Sequence, residues 1–105
     1  MKIRTGIATV AIMVAATVTT VFAQAGADTY KSKCAMCHGA DGLASGPAGK
    51  AMKVPPFNSP EVAKLSEAEV IAVTKNGKGK MPAYTGKLTD AQIKDVAGYV
   101  HTLQK

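Results

Sequence analysis

Cys34-Ala35-Met36-Cys37-His38 contains both cysteines of the chain, and its spacing decides how the rest is read. On a helical turn, residues three apart face the same way. Two thiols at this spacing meet two neighbouring vinyl groups on one porphyrin edge. The next residue, His38, then offers an imidazole nitrogen to the metal. That is the attachment signature of a c-type haem. Two other chemistries use C-x-x-C. A dithiol redox pair requires a βαβ setting, and no stretch of the chain alternates with the period of a strand. A zinc site requires a fourth ligand, for which only the distant His101 can be nominated. A disulfide between Cys34 and Cys37 would close a tiny loop and restrain almost none of the unfolded chain. The pair is therefore read as chemistry, with haem ahead of zinc and dithiol.

Upstream, Lys2 and Arg4 precede a run from Thr5 to Ala27 that carries no charge. Gly6 to Ala16 is rich in Ile, Val, Ala and Met, and Val21-Phe22-Ala23 places small residues where a signal peptidase needs them. Residues 1–23 are expected to be a secretory signal peptide, cleaved after Ala23 or, failing that, after Ala25. An uncleaved anchor is the alternative. It is weakened by an apolar run barely long enough to span a bilayer, interrupted by Thr9, Thr17, Thr19 and Thr20. The domain is then 24–105. Thirteen basic and seven acidic residues give the whole chain +6; losing Lys2 and Arg4 with the leader leaves +4.

A domain of this size leaves no room for a second core or a large catalytic scaffold. Hydrophobic residues at 47% exclude disorder, yet aromatics are only 5% and Trp is absent, so little is available to fill a core. A bound group is expected to fill it.

Helix signals recur on both sides of the motif. Asp28 or Thr29 is a candidate N-cap for a helix carrying Tyr30 and Cys34 on one face, with residues 24–27 as a frayed lead-in. Gly39 and Gly42 end it. Residues 39–56 read as a Gly/Pro loop with a short turn of helix near Lys50 to Lys53. Ser59-Pro60-Glu61 starts a short helix. Ser66-Glu67-Ala68-Glu69 and Thr89-Asp90-Ala91-Gln92 are capping boxes. The second leads a helix to about Gln104, with Ile93, Val96, Ala97, Val100 and Leu103 at helical spacing.

His38 serves one face of an iron. Candidates for the other face are Met36, Met52, Met81 and His101. Met36 lies within the attachment loop and cannot reach across the ring. Met52 is close in sequence and reads more naturally as packing. His101 lies in the terminal helix beside its apolar stripe. Met81 sits in the open loop Gly77-Lys78-Gly79-Lys80-Met81-Pro82-Ala83-Tyr84, between two helices, and belongs to no helical stripe. Met81 is the expected ligand, with Met52 next.

With these residues in order, the chain resembles the small soluble class I cytochromes c, which include bacterial and photosynthetic carriers. The resemblance runs over nearly all of residues 26–105. Gly26, Tyr30, Cys34, Cys37 and His38 match the first helix, Lys80 to Tyr84 the axial-Met loop, and Leu88-Thr89-Asp90 through Tyr99-Val100 the last helix. It implies an all-α, cytochrome c-like fold of three to five short helices around one covalently bound haem c. It implies that the first and last helices cross with Gly26 and Tyr30 against Val96 and Tyr99. It also implies that a loop proline, here Pro47, accepts a hydrogen bond from His38 through its carbonyl.

The function implied is a periplasmic one-electron carrier of a respiratory or photosynthetic chain. An iron held by His38 and Met81 has no open position, so the chain is not expected to be an enzyme. Lys75, Lys78, Lys80 and Lys87 bracket Met81 and would steer it towards redox partners with acidic docking patches, although lysines are commonly plain soluble surface. Nucleic-acid binding is not expected, nor stable membrane insertion once the leader is removed, and the protein is expected to be monomeric. A haem sensor or peroxidase-like module is the competing class and requires Met81 to leave the iron readily.

Overall fold

The computed structural model describes residues 14–105, with side chains from Ala23 onward. The basic start and the first half of the apolar leader lie outside the described residues, as do the side chains of Val21 and Phe22 at the expected cleavage site. The described chain is all-α: α1 (Val14–Lys33), α2 (Ala35–His38), α3 (Pro47–Ala51), α4 (Pro60–Ala63), α5 (Glu67–Asn76) and α6 (Asp90–Leu103). Among the described residues, extended pairing is confined to two isolated bridges, Lys78 with Met81 and Thr85 with Leu88. No helix among them is long and apolar enough to cross a membrane.

The first helix differs from expectation. Residues 24–27 are helical, and neither Asp28 nor Thr29 caps anything. A side-chain cap forms only where the chain leaves helical geometry before it. Here Ala23, Gln24 and Ala25 are good helix formers that carry the helix through. The carbonyls of Asp28 and Thr29 instead accept from the Ser32 hydroxyl, each at 3.2 Å.

The helix breaks at Cys34, whose φ of −116° and ψ of −32° re-aim the chain. The Cys34 N–H still donates to the Tyr30 carbonyl at 2.9 Å, and the His38 N–H to the Cys34 carbonyl at 3.0 Å. The attachment motif is thus held as one near-helical turn, which is why the helices number six among the described residues. Gly39, at φ +79°, ends it, a conformation that favours glycine.

Both capping boxes form. The Ser66 hydroxyl accepts from the Glu69 N–H at 3.2 Å, and the Thr89 hydroxyl from the Gln92 N–H at 3.1 Å. Pro60 opens α4 as expected, but the Ser59 hydroxyl makes no cap bond and is buried without a partner. The short helix expected near Lys50 to Lys53 lies a few residues earlier. Pro47 starts it, preset for a first helical turn, and Lys53 adopts a left-handed φ of +55° beyond its end.

Helix α6 crosses α1 and packs along α5. A Cβ on Gly26 would collide with the Asp95 carbonyl and lie 3.4 Å from the Tyr99 Cβ, so glycine permits the approach. Tyr30 is fully buried there, 5.2 Å from the Tyr99 ring. Val96, Ala97, Val100, Val70 and Phe57 complete the core. The crossing inferred from resemblance is therefore present.

Candidate cofactor cleft

One cleft of about 590 Å³ gathers Cys34, Cys37, His38, Met52 and Met81. That is the size of a cofactor site. Its remaining wall is mainly apolar: Tyr30, Val54, Phe57, Val70, Val96 and Val100. Core residues on one side are cleft walls on the other, so the group the cleft accepts completes the packing. Of the ligand candidates, Met36 is 83% exposed and lies off the cleft. His101 is exposed and pairs through Nδ1 with the Gln104 amide oxygen at 3.1 Å.

His38 is held against Phe57, its ring stacked at 4.7 Å between centroids and 25° between planes. Phe57 is fixed in turn, because its N–H donates to the Gly42 carbonyl at 2.9 Å and a Cβ on Gly42 would strike its ring. Burial lowers the His38 pKa, so the imidazole stays neutral, the form that binds metals. Its Nδ1 is buried with no hydrogen-bond partner. The expected bond to the Pro47 carbonyl is therefore not made: Pro47 lies at the exposed start of α3, and His38 lies against Phe57 instead. Helix α3 contributes through Gly49, where a Cβ would lie 2.6 Å from the Cys37 carbonyl and equally close to that of Ala44.

The two cysteines are free and half-buried. Burial, reinforced by Cys37 beside it, pushes the Cys34 thiol up to about 11. A reactive dithiol needs the opposite shift, so the redox-pair reading loses ground. Zinc fares no better, since no three His, Cys, Asp or Glu side chains converge among the described residues. Neutral imidazole, soft thioether, paired thiols and an apolar wall fit a haem.

Met81 is positioned by a tight turn. The Lys78 N–H donates to the Met81 carbonyl at 3.1 Å, and the Met81 N–H to the Lys78 carbonyl at 3.0 Å. Gly79, at φ +59°, supplies the left-handed residue this turn needs. The Tyr84 and Thr85 N–H groups then bond the Thr74 and Lys75 carbonyls of α5 at 3.0 and 3.3 Å.

The lysine expectation is half met. Lys78 and Lys80 line the cleft, whereas Lys75 pairs with Asp90 at 3.5 Å and Lys87 lies 5.7 Å over the Tyr84 ring. Lys33 and Lys53, overlooked in the sequence, take their places at the cleft. Phe57 was also overlooked, and its only signal was the scarcity of phenylalanine.

A family profile described as cytochrome c oxidase, cbb3-type, subunit III matches residues 22–100. The chain is 39% identical over 75 residues to cytochrome c6 of Synechococcus elongatus, covering 71% of this chain and 83% of that protein. It is equally similar, over as many residues, to cytochrome c6 of Thermosynechococcus vestitus, covering 64% of that protein. It is 35% identical over 83 residues to the cbb3-type cytochrome c oxidase subunit CcoP of Azospirillum brasilense, covering 77% of this chain but 28% of that subunit.

Proposed function

Since the chain belongs to the small class I monohaem c-type cytochromes, we propose that it is a periplasmic one-electron carrier whose haem iron is held between His38 and Met81. Electron carriage and a covalent haem c come with the family. The finer assignments rest chiefly on one observation, that Cys34, Cys37, His38 and Met81 line a single apolar cleft.

The bound haem supplies an iron that takes up and releases one electron. Cys34 and Cys37 hold it by thioether bonds. His38 gives a neutral imidazole, oriented by Phe57. Met81 gives a thioether from the opposite loop, and soft sulfur favours the reduced iron. The apolar wall excludes water and thereby limits reorganisation when the charge changes. His38 and Met81 together would leave such an iron suited to electron transfer rather than to binding a substrate. Lys33, Lys53, Lys78 and Lys80 suit an acidic patch on a redox partner, met by a monomer in a brief, salt-sensitive encounter. Residues 1–23 act as the export leader, removed on arrival.

A redox titration of the holo-protein followed by absorption spectra tests this reading. The expected result is a single one-electron transition, with the charge-transfer band of Met–iron ligation in the ferric form. Rapid, tight carbon monoxide binding to the native ferrous form would overturn it in favour of a sensor.

A further inference from the structure

The geometry points to Tyr84 as a positioning residue that clasps the Met81 loop to the haem-attachment turn, an inference that rests on Met81 as the second iron ligand. Three residues beyond Met81, the Tyr84 hydroxyl reaches back along 51 positions and donates to the Lys33 carbonyl at 3.1 Å. Lys33 is the last residue of α1 and directly precedes Cys34. Its carbonyl is among those a helix end leaves unpaired, and the phenol satisfies it. The backbone N–H of the same tyrosine donates to the Thr74 carbonyl near the end of α5 at 3.0 Å. One residue therefore joins three elements: the end of α1, the end of α5 and the loop bearing Met81. Its ring also lines the cleft, and Lys87 covers the ring at 5.7 Å.

Among the described residues, both backbone hydrogen bonds of Met81 are with Lys78, inside its own turn. For the thioether to leave the iron, that turn must swing outward, pulling on the chain towards residue 84. The clasp resists this at the far end. Tyr84 touches no reacting atom; it sets how often Met81 lets go.

The test compares ferric holo-protein as wild type, Tyr84→Phe and Thr102→Val. The last deletes an unrelated hydroxyl bond to the Tyr99 carbonyl, 2.6 Å long, at the surface of α6. Imidazole binding is timed by loss of the Met–iron band, and amide hydrogen exchange is read at residues 78–85. Tyr84→Phe should quicken both about two- to five-fold, as expected for one surface hydrogen bond, and Thr102→Val should quicken neither. Unchanged exchange in Tyr84→Phe, or equal acceleration by Thr102→Val, overturns the clasp. Met81→Ala separates the two readings. If it keeps the band, the ligand assignment falls, and the exchange data alone still decide whether Tyr84 holds the loop.

Discussion

Gly26 and Gly98 both lie inside helices near the α1–α6 crossing, yet their replacement by alanine should move stability in opposite directions. In an exposed helix interior, Gly→Ala gains up to about 1 kcal/mol from propensity. Among the described residues, the new methyl at Gly98 meets only the Glu67 carboxylate oxygen, at 4.0 Å on a flexible arm. Gly98→Ala should therefore be stabilising by nearly that full amount. At Gly26 the methyl runs into the Asp95 carbonyl, a backbone group that cannot rotate aside. The helices must separate, and overpacking of this kind costs about 1–3 kcal/mol. The propensity gain is at most common to both sites, so the difference between the variants isolates the steric cost. If the leader is removed, Gly26 enters the first turn, its gain shrinks, and the gap widens. Thermal melts of the two holo-variants provide the assay. A domain of this size shifts by roughly 4–8 °C per kcal/mol, so Gly98→Ala should melt at least about 4 °C above Gly26→Ala. Melting points within a degree of each other would refute the close crossing.

Met81→Ala should abolish the Met–iron charge-transfer band, lower the potential and open the iron to added ligands, while Met52→Ala should leave the spectrum intact; ferric spectra and titrations of both decide it. Cys34→Ala or Cys37→Ala should leave little stable holo-protein, because so small a domain deprived of its core filler has little margin; haem content after purification measures this. Ser66→Ala should cost about 1 kcal/mol by breaking a formed capping box, seen as a fall in the denaturation midpoint. His101→Ala should change neither spectrum nor potential, since its ring is exposed and pairs only with Gln104.

What could be read in the sequence was local or carried by the attachment motif. Ser66 with Glu69 and Thr89 with Gln92 announce helix starts because both partners lie within one turn. The same logic misplaced the start of α1: Asp28 and Thr29 have capping side chains, but a cap also needs a chain that turns, and the preceding residues prolong the helix. The four expected site residues meet in one cleft, because C-x-x-C-H and a Met-bearing loop each carry their chemistry in a few adjacent positions. Among contacts between distant segments, the crossing of Gly26 and Tyr30 with Val96 and Tyr99 was legible, and only through the resemblance; other long-range contacts left no trace. Nothing near Lys33 announces Tyr84. Nothing near α4 announces the Gln104 amide, which donates to the Val62 and Leu65 carbonyls at 2.8 and 3.2 Å. Pro47 shows a different limit: a residue type and an approximate place do not fix a bond that depends on how the His38 ring turns.

The α1–α6 crossing also governs the order in which the molecule comes apart. Tyr30 and Tyr99 touch across almost the whole domain, so their contact closes the chain into a ring. Closing a ring of that length costs on the order of 4 kcal/mol, and halving it would save only about 0.6 kcal/mol. The chain therefore gains little by docking its middle first, and a contact so distant in sequence slows folding. Once shut, the crossing is held by side chains from both ends, whereas α3 and α4 are short surface segments strung between them. Those segments can open and reclose while the ring stays locked, as partial unfolding units do. Amide protection should accordingly be deepest in α1 and α6 and shallowest in α4, which buries no residue, making the two ends of the domain its most durable part.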